Sequence, residues 1–178
     1  LIETSIQPDL ICGLKEMQHL GIKPCAIKNW QKEADMNDRK IRNILDSCKT
    51  VAMVGLSANW FRPSFFAAKY LLERGYQVVP VNPNYDEILG QTCYPDLASI
   101  PHPVDIVDLF QRADQVEKFV QPAIDMQAKV LWLQLGIINE EAAAQATQAG
   151  LEVVMDRCMK IEYARLFGGL SWMGVNTG

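Results

Sequence analysis

Three groups of residues in this chain have the types and spacing to do chemistry. Gly55-Leu56-Ser57 ends the apolar run Val51-Ala52-Met53-Val54 in a glycine turn, and Arg62-Pro63-Ser64 then opens the amphipathic segment Phe65 to Glu73. A buried strand that ends in such a turn and feeds a helix aims backbone N–H groups and the positive helix end at one spot, which suits a phosphate. Asn82-Pro83 closes a second apolar run, and Asp156-Arg157-Cys158-Met159-Lys160 follows the last. Cys158 stands between cations, with a helix expected to begin near Ile161. Both features favour the thiolate, so this is the cysteine best placed for redox chemistry and for a mixed disulfide.

These groups need a frame that brings them together. From about Asp46 the chain alternates short apolar runs with helical patterns, the signature of a parallel sheet wrapped by helices. Strands are expected at Val51–Val54, Gln77–Val81, Val104–Leu109, Lys129–Gln134 and Glu152–Met155. Helices are expected at Ser64–Arg74, stopped by Gly75, at Ala113–Met126, bent or restarted at Pro122, and at Glu140–Ala149, stopped by Gly150. Pro80 lacks an N–H, which places it near the end of its strand or beside an unpaired position. The fold class is therefore α/β: a doubly wound, mainly parallel, five-stranded Rossmann-like sheet with helices on both faces. Residues 1–45 form a partly helical extension, 46–166 the domain, and 167–178 a glycine-rich tail that packs on the domain or on a second subunit.

In such a sheet ligands sit beyond the carboxyl ends of the strands, where strand order reverses. Those ends carry Gly55-Leu56-Ser57 with Arg62 and Ser64, then Asn82-Pro83, Phe110-Gln111-Arg112, Gln134-Leu135-Gly136-Ile137, and Asp156 to Lys160. Several cations, neutral hydrogen-bonding groups and one aromatic suit an elongated polyanion. A nicotinamide dinucleotide calls for G-x-G-x-x-G after the first strand and an acid ending the second. This turn has one glycine and the second strand ends in Asn82, so NAD is disfavoured. A nucleoside triphosphate is poorly served as well, because no G-x-x-x-x-G-K-S/T occurs.

Composition narrows the rest. With 178 residues, 49% of them hydrophobic, the chain has room for one core and an extension. A net charge of -4 leaves no broad basic face, which argues against nucleic acid and anionic membrane as main partners. No apolar run is long enough to span a bilayer and no secretory leader is visible, so a soluble cytoplasmic protein is expected. The five cysteines, Cys12, Cys25, Cys48, Cys93 and Cys158, are scattered and unpaired in sequence, which disfavours a disulfide framework and a metal site.

From about Asp46 to Leu166 the chain resembles the small stand-alone coenzyme A-binding proteins, related to the CoA-binding domain of succinyl-CoA synthetase and of the ADP-forming acyl-CoA synthetases. The residues carrying the likeness are Val54-Gly55-Leu56-Ser57 with Arg62-Pro63-Ser64, Val81-Asn82-Pro83, Val104 to Phe110, Trp132 to Ile137, and Val154 to Glu162. The resemblance implies CoA or an acyl-CoA as ligand, with Gly55, Leu56, Ser57 and Arg62 near the phosphates and Asn82-Pro83 near the ribose and adenine. Phe110, Arg112, Gln134, Gly136 and Ile137 would line the crevice further along, and Ser64 belongs to the phosphate turn.

No catalytic set assembles from the sequence. The synthetases that share this domain work through a phosphohistidine on a second domain, for which this chain has no room. His19 lies in the extension and His102 in a turn before the third strand. Asp105 and Asp108, at odd spacing on one strand, point to opposite faces and form no close carboxylate pair. A binding protein is the leading expectation. A synthetase-like subunit completed by a partner chain, or a nucleotide-responsive redox regulator with dimer contacts through the tail, are the alternatives.

Overall fold

Val51, Ala52, Met53 and Val54 are all buried, because their strand lies inside a sheet covered on both faces, where alternation gives way to a continuous apolar run. The computed structural model describes residues 37–168. The chain divides into two units, Leu1–Lys40 and Ile41–Gly178. Residues 37–47 are helical, and those from 41 onward, here α1, open the second unit. Cys12, Cys25, His19, most of the expected extension and the tail beyond Gly168 lie outside the described residues.

The second unit is built on β1 (Thr50–Val54), β2 (Gln77–Val81), β5 (Ile106–Leu109), β6 (Val130–Leu133) and β7 (Glu152–Val154), all parallel and ordered β2-β1-β5-β6-β7. A small antiparallel pair, β3 (Glu87–Ile88) with β4 (Gln91–Thr92), was not foreseen in the sequence. Helix α2 (Pro63–Glu73) joins β1 to β2. A 3-10 stretch, Ala113–Phe119, runs into α3 (Val120–Asp125), so Pro122 marks a second segment near its start. Helix α4 (Glu140–Gln148) and α5 (Met159–Phe167) complete the unit.

One face of the sheet, carrying Val51, Met53, Ile106, Val130, Trp132 and Val154, packs on Ile41 and Leu45 of α1, Ala67, Ala68 and Leu71 of α2, and Met159 of α5. The other, with Ala52, Val54, Val107, Leu109, Leu131 and Leu133, packs on Val116, Val120 and Ala123 and on Ala142 and Ala146 of α4. Helix α2 begins with Pro63, whose fixed φ suits the first turn, and buries Ser64, Ala67, Ala68 and Leu71 at helical spacing. It ends in a Schellman turn: Gly75, at φ 82°, donates to the Leu72 carbonyl, and Tyr76 to that of Leu71. The same pair of bonds at Gly150 and Leu151 returns α4 into β7.

Pro80 sits on the edge strand of the main sheet. Gln77 and Val81 turn their backbone groups toward β1, so the ring of Pro80 takes the outward position, where its carbonyl accepts from Tyr94 N–H.

Candidate functional site

Strands β1 and β5 are neighbours, yet the chain leaves them toward opposite edges of the sheet, which opens a crevice beyond their carboxyl ends. Gly55 stands at its floor. A Cβ built there would lie 2.5 Å from the Phe110 carbonyl oxygen and 2.8 Å from the Gln111 amide nitrogen, and its φ is 84°. Only glycine fits so close an approach at positive φ. Its N–H is spent on the Val81 carbonyl, whereas the N–H groups of Leu56 and Ala58 find no acceptor among the described residues. Two free donors around a turn that admits no side chain fit an anionic oxygen.

The neighbouring polar groups hold that turn in shape. Ser64 Oγ, buried in the first turn of α2, accepts from Ser57 N–H at 3.3 Å, and Ser57 Oγ accepts from Asn59 N–H at 3.1 Å. The Asn82 amide donates to the Leu56 carbonyl at 2.8 Å, while its Oδ1 accepts from both the backbone and side-chain amides of Asn84. Asn82 thus ties the second strand's end to the glycine turn, and the exposed Pro83 follows it. Arg62, immediately before α2, is exposed and its guanidinium has no partner among the described residues.

Beside the turn lies a cavity of about 570 Å³, within the range of small-molecule sites. Phe61 and Pro63, the chain neighbours of Arg62, form one wall with Phe66; Phe110, Ile137 and Ile161 form others. Gln134, Cys158 and Lys160 are its polar members. Phe110 joins the two regions, since its carbonyl borders Gly55 and it also lines the cavity. Phe61, 73% exposed, Leu135, 64% exposed, and Phe66, 44% exposed, make an apolar rim.

Beneath the cavity, Gln134 and Asp108 form a buried pair. The Gln134 amide donates to both Asp108 oxygens, at 2.9 and 3.0 Å, leaving its Oε1 without a donor among the described residues. Burial pushes the Asp108 carboxyl up to about 7, against a smaller downward pull from the Gln134 hydrogen bond. Asp105 does unrelated work at the amino end of β5. It receives the N–H groups of Lys49 and Thr50 and the Lys129 ammonium at 2.7 Å. Burial pushes its carboxyl up, but these partners together hold it below the usual range.

The other strand-end residues are distributed as follows. The Arg112 guanidinium pairs with Asp114 at 3.1 Å and lines no part of the cavity. Gly136 donates its N–H to Asp156 Oδ1 at 2.6 Å, which anchors the β6 loop to the β7 loop. Arg157 is 3.4 Å from the buried Glu162, itself bound by Arg165 at 2.6 Å. Phe61, Phe66 and Ile161 were missed in the sequence. Their signal is legible in retrospect for Phe66, a large apolar residue on α2 lying off the buried stripe of Ser64, Ala67, Ala68 and Leu71.

Fold and site together define a class: a doubly wound Rossmann-like sheet with a donor-lined turn and an adjoining apolar cavity at its switch point. The family model for the CoA binding domain matches residues 49–164, and the chain belongs to that family. The uncharacterized protein YneT of Bacillus subtilis is 38% identical over 125 residues, which make up 70% of this chain and 93% of that protein. The solved structure of a hypothetical protein from Pyrococcus horikoshii OT3 is 45% identical, with a TM-score of 0.72 over 74% of this chain and 92% of that one. The ADP-forming acetate–CoA ligase II of Archaeoglobus fulgidus is 40% identical over 60 residues, 33% of this chain but 9% of the ligase.

Proposed function

We propose that this protein binds coenzyme A, or an acyl-CoA, in the crevice at the carboxyl ends of its strands. The observation that carries the reading is the continuity, through Phe110, of a glycine turn offering two free N–H donors with an apolar cavity of about 570 Å³. A ligand with a pyrophosphate at one end and an uncharged, flexible arm at the other matches that sequence of surfaces. Membership of the CoA binding domain family supports the same ligand. Gly55, Leu56, Ser57 and Ser64 form the phosphate turn and Arg62 reaches the phosphates from the mouth of α2. Asn82 and Pro83 border the ribose and adenine, and Phe110, Gln134, Gly136 and Ile137 lie along the crevice toward the arm, with Arg112, paired to Asp114, outside the cavity.

Binding without catalysis of its own is the role this arrangement supports. Asp105 is occupied with Lys129 and two backbone amides, and Asp108 is sealed beneath Gln134. The likeness to a stretch of an acetate–CoA ligase favours one second reading, a CoA-holding subunit that a partner chain completes. Titration calorimetry with CoA, NAD and NADP tests the first reading. CoA is expected to bind at least about tenfold more tightly than either dinucleotide, a difference of about 1.4 kcal/mol. Equal or tighter binding of NAD overturns it.

A further inference from the structure

Cys158 differs from the other described cysteines in what surrounds it. Cys48 and Cys93 are buried, and burial pushes both thiols up, which leaves them protonated and inert. Cys158 is partly exposed and lines the cavity. It occupies the position before the first turn of α5, yet its side chain makes no capping bond, so the thiol is not consumed by the helix.

The backbone around it is held from three sides. Asp156 accepts the Gly136 N–H, the Arg157 carbonyl accepts the Trp132 indole N–H at 2.7 Å, and the Cys158 carbonyl accepts the Glu162 N–H at 2.9 Å. These bonds hold the backbone of Cys158 in place at the edge of the cavity it lines. The cavity is also lined by Lys160 and by Gln134, 3% exposed, whose Oε1 has no donor among the described residues. An acceptor left open on a nearly buried side chain beside an apolar cavity suits a ligand N–H, such as the amide of a pantetheine arm.

We infer that Cys158 is a site of thiol–disulfide exchange that captures the sulfur end of coenzyme A as a mixed disulfide. The inference rests on the CoA reading of the crevice. The Cys158 thiol gives its proton to solvent, and the thiolate attacks one sulfur of CoA disulfide. A Cys158–CoA disulfide bond forms as the original sulfur–sulfur bond breaks. The second CoA leaves as a thiolate and takes up a proton. CoA disulfide is the oxidant, so one protein thiol is oxidised and one CoA thiol is released.

The experiment treats reduced protein with CoA disulfide, follows intact mass, and maps the adduct by peptide mass. In parallel, calorimetry measures reversible CoA binding to the reduced wild-type protein. One CoA per chain is expected, on Cys158, released by dithiothreitol, absent from Cys158→Ser and Cys158→Ala, and retained by Cys48→Ser and Cys93→Ser. Because the phosphate turn holds the reagent next to the sulfur, the rate should exceed that with glutathione disulfide by about tenfold or more. Labelling spread over several cysteines, or an equal rate with glutathione disulfide, overturns the inference. So does an unmodified Cys158 in protein that binds CoA reversibly, a result that leaves the binding reading standing. Failure of reversible CoA binding overturns both.

Discussion

Arg62 carries a formal charge just before α2, and its guanidinium has no partner among the described residues. A charge-assisted hydrogen bond to a phosphate contributes about 1.5 to 3 kcal/mol. Arg62→Ala should therefore weaken CoA roughly tenfold to hundredfold, with an unchanged melting temperature; an unchanged affinity would return Arg62 to the solvent. Asp108 makes a different kind of claim, on stability and pH. Its carboxyl titrates near 7 in the folded chain against an ordinary value of 3.8. Between those values the folded chain keeps a proton that the unfolded chain has released, so this group's contribution to stability falls as pH rises from about 4 to about 7. Asp108→Asn removes that loss. The melting temperature of wild type relative to Asp108→Asn should decline steadily across that window and then level off, and a constant difference would contradict the burial argument.

At the scale of elements, the crevice depends on helices that start and stop where the sheet needs them. Asn139 is the clearest device. Its side chain accepts from Ala142 N–H at 2.9 Å, capping α4, and donates to the Ala113 carbonyl at 2.9 Å, fastening that helix to the 3-10 stretch. Asn139→Ala should cost about 1 to 2 kcal/mol in chemical denaturation, while CoA affinity stays within about twofold because no crevice residue moves. Helix ends were legible where glycine marks them, at Gly75 and Gly150. The end expected at Met126, the C-cap of α3, was met as closely, although the turn there places a non-glycine residue, Gln127, at φ 58°. Periodicity likewise recovered the five main strands, Gln77–Val81 to the residue, but began the third at Val104 where the strand begins at Ile106, since the ends of a strand depend on its neighbours' register. The β3 and β4 pair, two residues each, is too short to leave a period.

For the molecule as a whole, the doubly wound sheet and the location of its switch point were readable because buried parallel strands write continuous apolar runs and glycine stops between them. The positions that make up the polar half of the candidate site were legible for the same reason, as Gly55, Ser57, Asn82 and Gln134 all fall just beyond those runs. The apolar half was not. Phe61 and Phe66 come from around the start of α2 and Ile161 from α5, and only folding shows that they line one cavity. The pairing of Gln134 with Asp108 was hidden too, since it spans 26 residues and two strands. The central claim is that phosphate turn and cavity serve a single CoA molecule. A crystal structure of the complex tests it most directly. The account predicts the pyrophosphate on the Leu56 and Ala58 N–H groups and the pantetheine arm passing Phe110 into the cavity between Phe61, Gln134 and Cys158. CoA bound elsewhere, or with its arm turned out to solvent and the cavity bypassed, would contradict it.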